Sequence, residues 1–227
     1  MNKHFDNQLE KLKKQIIKMT SLVFKQVKNV FIATENHDAT LSVNIISNEN
    51  EVNKIDLKID KLCLQLVVLN QPVAYDLRFI FAAITINGSL ERIGDLAANI
   101  AKGVLTSKYS MKELELINFS ELKNIVLDML TYSTEAFIQQ SEQLSKKVFS
   151  LEKKLNELKD KASDSIKKFA VSNPEKINSV FFLYDLIHSL ERIGDLTTNI
   201  VEDVYFTIKA QNIRHKYENI FFNINEE

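Results

Sequence analysis

The amino-acid sequence predicts an all-α protein built as two tandem, pseudo-symmetric three-helix bundles, six long antiparallel helices in all. Three observations predict it. The 227 residues include 4 glycines and 2 prolines, where average usage gives roughly 16 and 11, so folds that need many tight turns lack the residues to build them. Apolar residues recur at steps of three and four through most of the chain, the spacing that lines one side of a helix. Residues 89–100, SLERIGDLAANI, return at 189–200 as SLERIGDLTTNI, ten of twelve identical at an offset of 100.

The elements follow in order. Leu9, Leu12, Ile16, Met19, Val23, Val27 and Val30 form the first apolar seam, and Val52, Ile55, Ile59, Leu62, Leu66 and Leu69 the second. Phe79, Ala83, Ile86, Leu90, Ile93, Ala97, Ile100 and Val104 form the third. Each seam implies a helix of about 30 residues, ~45 Å long, and three single-seamed helices bury their seams only against one another. Pro72 and Pro174 precede the two copies of the repeated segment by similar distances. Proline suits the first turn of a helix and disfavours helix in the residue before it, so each marks the corner into a third helix. Leu144, Val148, Leu151, Leu155, Leu158, Ala162, Ile166 and Phe169 supply the middle seam of the second half. Phe181, Phe182 and Tyr184, at helical spacing, read as core. The expected units are residues 1–108 and 113–212, joined near Ser107–Met111, with a tail over 213–227.

Composition narrows the function. Lys plus Arg is 29 and Asp plus Glu is 30, a net charge of -1, which argues against nucleic-acid binding through a large cationic surface. The single cysteine, Cys63, excludes an intramolecular disulfide and a cysteine-based zinc site and reads as a core residue. The opening MNKHFDNQLEKLKK has no apolar signal-peptide core, and the longest apolar stretches, such as Leu62–Leu69, are too short to span a bilayer. The expected location is the cytoplasm.

The repeated segment carries the chemistry. Glu91 and Asp95 stand at i, i+4, as do Glu191 and Asp195, with Asn99 and Asn199 one step further along the same face. On the middle helices Asp56 and Asp60 each follow a seam residue, and Glu152 and Asn156 do so in the same phase in the second half. Each bundle therefore has two i, i+4 oxygen-bearing pairs on neighbouring helices. Carboxylates converging in this way repel unless a cation lies between them, and hard multivalent ions prefer such ligands. Ligand type alone points to magnesium, manganese, calcium or iron. Against this stands the ordinary solvated acidic face of a surface helix. Two features weigh toward the metal: outward Glu, Asp and Asn are retained between the copies, and Gly94 and Gly194 sit mid-helix at a cost of ~1 kcal/mol each relative to alanine, which implies a close approach there. Arg92 and Arg192 read as ion-pair partners of a neighbouring helix. His188 either joins the Glu191 face or is a plain surface histidine. No nucleophile–histidine–acid set or phosphate-cradling glycine loop is present in the sequence.

These residues resemble the PhoU family of phosphate-uptake regulators. The resemblance lies in NQPVAYDLRFIFAA at 70–83, LERIGD at 90–95 and again at 190–195, Asp56 and Asp60 ahead of the first, and QNIRH at 211–215. It implies two three-helix bundles with E(D)-x-x-x-D motifs that hold multinuclear iron or zinc clusters; manganese and magnesium stay open. The implied ligands are Asp56, Asp60, Glu91 and Asp95 in the first half and Glu152, Glu191 and Asp195 in the second, with Asn99, Asn156, Asn199, Glu202 and Asp203 as additional candidates. Asn156 stands where an aspartate is expected, which would weaken the second site, and Asp160 lies one turn on. The implied function is non-enzymatic: a metal-binding homodimeric adaptor between the phosphate ABC transporter, at its ATPase subunit, and a two-component membrane sensor kinase. It would keep the phosphate-starvation response off in phosphate homeostasis and reach the membrane only peripherally, through its partners. The competing reading is a carboxylate-bridged iron enzyme on a helical bundle, which needs histidine ligands that this sequence does not clearly supply.

Overall fold

The computed structural model describes residues 3–213, and these residues contain no β-strand. The first half consists of α1 (Lys3–Asn36), α2 (Ala39–Asn70) and α3 (Ala74–Thr106). A short helix, α4 (Met111–Leu116), leads into α5 (Phe119–Gln139), α6 (Glu142–Ser172) and α7 (Ile177–Lys209). Within each half all three long helices pack on one another, and α3 packs along α7 to join the halves. The QP-x3-DLR element contributes to that junction, because the Arg78 Nε–H donates to the Thr207 carbonyl across it (3.4 Å). Lys123 also pairs with Glu35 between α5 and α1.

The corners follow from local chemistry. Asp38 caps α2 by accepting from the Leu41 N–H (2.9 Å), and Ser141 caps α6 through Leu144. Pro72 lies in the short link between α2 and α3, and Pro174 opens a 3-10 turn, Pro174–Lys176, ahead of α7. The joint near Ser107–Met111 is longer than the seams suggest. Ser110 and Glu113 form a reciprocal capping box that starts α4, and Asn118, at φ 55°, takes the left-handed conformation that separates α4 from α5. The fourth long helix is consequently the shortest, at 21 residues.

The predicted seams are the core: Leu12, Ile16, Met19, Val23, Val27, Ile59, Leu90, Ile93, Val148 and Leu155 are all essentially inaccessible to solvent. Leu69 departs from this, lying exposed at the end of α2, as do Phe181 and Tyr184, leaving Phe182 alone of its cluster in the core. Phe182 stacks on Tyr109 at 4.2 Å, and its ring lies against Gly103. Cys63 is fully buried, and burial, with Asp60 nearby, pushes its thiol up to about 12. It is a packing residue. Among the described residues no helix is long and apolar enough to cross a membrane.

The mid-helix glycines also find their reason in packing. A Cβ on Gly194 would overlap Leu155 Cδ2 of α6, and one on Gly94 would come within 3.2 Å of Gln26 Oε1 and 3.4 Å of Val52. The close approach is helix against helix inside each bundle, on the side of α3 and α7 that meets the core.

Candidate metal centre

In the first half, α2 and α3 run antiparallel and bring the two acidic pairs together around a residue absent from the sequence-derived set, Asn87. Its side chain is fully buried. The Asn87 Nδ2–H donates to Asp56 Oδ1 (2.7 Å), to the Asp56 carbonyl (3.1 Å) and to Asp60 Oδ1 (3.2 Å). One turn on, the carboxyls of Glu91 and Asp95 approach within hydrogen-bonding reach of one another. Loss of hydration raises the Glu91 carboxyl above the ordinary range, and repulsion from Asp95 and Asp56 adds to it. Asp56 is raised in the same way, first by burial and then by Asp60. Arg92 offsets part of this for Glu91 from the same helix.

This arrangement fits a hard cation in charge and in donor type: four carboxylates with mutual repulsion, plus Asn87 Oδ1, which is buried with no hydrogen-bond partner. The set is open, since no three acidic, histidine or cysteine side chains among the described residues are close enough to enclose an ion.

The second half is built differently. Glu191 faces Lys159, whose ammonium lies 2.9 Å from Glu191 Oε1 and 3.0 Å from Asp160 Oδ1. The other Glu191 oxygen meets His188 Nδ1 at 3.1 Å, so His188 does join this face. Asp160 itself is largely exposed. Asp195 is exposed by area yet recessed enough that lost hydration raises its carboxyl, aided by Glu191 and opposed by Lys159 and Arg192. Glu152 does not stand opposite Glu191. Its Oε1 accepts from the Thr198 hydroxyl (3.5 Å), seven residues and therefore about 10 Å along α7. There Glu152, Asp195, Asn199, Glu202 and Asp203 line a recess with Arg92, and Glu152, Glu202 and Asp203 each have further partners. Asn156 lies on α6 with its Oδ1 buried. Asn99 is exposed and accepts from Lys102 (3.2 Å). Arg92 and Arg192 are exposed and flank a groove along the α3–α7 contact together with Asp95 and Asp195. Of the QNIRH element, Arg214 and His215 lie outside the described residues.

The sequence profile of the PhoU domain matches the chain twice, over residues 16–104 and 119–204. The chain belongs to the PhoU domain family. The phosphate-specific transport system accessory protein PhoU of Serratia marcescens is 28% identical over 219 residues, which cover 95% of this chain and 90% of that protein. The PhoU homolog of Aquifex aeolicus is 27% identical over 210 residues, 92% of this chain and 95% of its own. The crystal structure of PhoU from Pseudomonas aeruginosa superposes with a TM-score of 0.85 at 26% identity, covering 91% of this chain and all of that one. That of the phosphate transport system regulatory protein PhoU from Streptococcus pneumoniae gives 0.81 at 24% identity over 92% and 98% of the two chains, a likeness of fold. The two PhoU matches fall on either side of α4 and thus coincide with the duplication.

The raised carboxyls of the first PhoU repeat make a pH prediction. A carboxyl that binds its proton more tightly when folded contributes stability below its unfolded value, and that contribution is lost as pH rises through its folded value. Wild-type protein kept in chelator is therefore expected to lose stability relative to Glu91→Gln as pH rises above 4.5, the ordinary glutamate value. Thermal unfolding of both proteins at several pH values, with chelator present, reads the difference.

Proposed function

We propose that this protein is a non-enzymatic regulator of phosphate uptake and of phosphate-starvation signalling, acting as a cation-binding helical adaptor. The observation that carries the reading is the pair of PhoU domain matches, together with near full-length relatives named as accessory proteins of the phosphate-specific transport system. Its partners are the phosphate ABC transporter, through the ATPase subunit, and a two-component sensor kinase. It works in the cytoplasm as a homodimer and restrains both uptake and the starvation response when phosphate is plentiful.

Asp56, Asp60, Glu91 and Asp95 would hold the cation, iron or zinc by the family resemblance and manganese or magnesium by donor type, with Asn87 holding Asp56 and Asp60 in place. A bound cation supplies positive charge that ties α2 to α3. An iron enzyme gains no support from the geometry, because the histidine beside the second acidic pair, His188, shares Glu191 with the ammonium of Lys159. The test is a deletion strain. Raised phosphate uptake and starvation-gene expression in phosphate-rich medium, reversed by the wild-type gene, is the expected result, and normal values of both would refute the proposal.

A further inference from the structure

The two halves are copies, and the acidic cluster of the first has been rebuilt in the second around a nitrogen. The repeat offset of 100 places Ile187 where the first half has Asn87. Asp56 on α2 repels Glu91, and in the equivalent position on α6 the ammonium of Lys159 pairs with Glu191. One turn beyond, the position of Asp60 is taken by Ser163, four residues after Lys159. The burial pattern supports this register: Val52, Ile59 and Cys63 on α2 align with Leu155, Ala162 and Ile166 on α6, all buried. Three changes therefore act together. Two carboxylates are gone from the middle helix, the amide that held them is apolar, and a cation is supplied by the chain itself.

We propose that the Lys159 ammonium is the resident cation at Glu191 in the second half, so that α6 and α7 are tied together there without a metal and the Asp56–Glu91 cation cluster of α2 and α3 has no counterpart. The side chain is placed for this. It is only 18% exposed, far less than its neighbour Asp160 at 74%, and it contacts both carboxylates at once. Glu191 has no oxygen left uncontacted, with Lys159 on Oε1 and His188 on Oε2. An incoming ion would have to displace an ammonium from Glu191 and find its remaining ligands without counterparts of Asp56 and Asp60. Divalent affinity falls as charged ligands are lost, so the second half is at a disadvantage on both counts. The proposal rests on the reading of the first cluster as a cation site, and the experiment separates the two.

Protein stripped with chelator is reloaded with Mn²⁺, dialysed and assayed for bound metal per chain, and unfolding temperatures are recorded with chelator and with Mn²⁺. Wild type and Glu191→Gln are expected to hold equal Mn²⁺. Lys159→Asp, which restores an aspartate at the Asp56 position, is expected to gain at least one more bound ion and a larger Mn²⁺-dependent rise in unfolding temperature. In chelator, Lys159→Met is expected to melt a few degrees lower, and adding Glu191→Gln is expected to restore most of the loss, because the uncompensated charge is then removed. Loss of bound Mn²⁺ in Glu191→Gln, or an unchanged melting temperature in Lys159→Met, would overturn the proposal. Unchanged Mn²⁺ in Asp56→Ala would instead refute the first-half cation site, while the chelator measurements on Lys159 and Glu191 still decide the role of the ammonium.

Discussion

Substituting lysine for Asp56 is expected to weaken cation binding on α2 and α3 about a hundredfold or more while raising the thermal stability of the chelator-stripped protein. The change copies the second half into the first: a lysine opposite Glu91 in place of a carboxylate that repels it. A unit charge about 4 Å from another is worth on the order of 4 kcal/mol at an effective dielectric of 20. Removing one ligand and adding one positive charge therefore lowers affinity by at least ~2–3 kcal/mol, about a hundredfold. The same ammonium relieves the repulsion that raises Glu91, so the metal-free protein gains. Mn²⁺ titration and unfolding in chelator measure the two effects, which should have opposite signs. A variant that bound Mn²⁺ like wild type would show that Asp56 is not a ligand.

Replacing Gln26 with methionine is expected to stabilise the protein by ~1–3 kcal/mol, the usual cost of leaving a buried polar group without partners. Gln26 is 2% exposed, and both its amide nitrogen and its oxygen lack hydrogen-bond partners. It packs against Gly94 on α3, and the residue in the same place against Gly194 in the second half is Met129. Methionine thus already fits this niche in the copy. The reciprocal change, Met129→Gln, is expected to destabilise by a similar amount. Denaturant unfolding of the two variants measures this, and a Gln26→Met protein less stable than wild type would mean that the amide makes contacts that this packing does not require.

The heptad seams carried most of the fold, because burial of one stripe per helix leaves few alternatives and the two prolines mark real corners. The sequence was silent on α4, whose six residues are too short for a period and whose capping box competes with a plain linker reading. The register of the middle helices was the harder matter. Glu152 and Lys159 are seven residues apart, and a shift of one heptad leaves an amphipathic pattern in phase. Counting positions therefore could not tell which of them meets Glu191, and only packing of α6 on α7 decides for Lys159. Asn87 is hard to recognise in the sequence because it sits in the apolar stretch of α3. A signal was available: its copy, Ile187, is an ordinary buried residue, and a polar side chain in an apolar repeat position asks for polar neighbours. The mid-helix glycines pointed to close approach, as expected, but the approach is that of core side chains and not of a ligand.

The asymmetry between the repeats decides where the cation site lies. Titration of chelator-stripped protein with Mn²⁺, followed by the electron paramagnetic resonance signal of the unbound ion, tests it most directly when wild type, Glu91→Gln and Glu191→Gln are compared. Glu91→Gln is expected to leave the added Mn²⁺ in solution while Glu191→Gln takes it up as wild type does. Equal losses in the two variants, or no uptake by wild type, would contradict it.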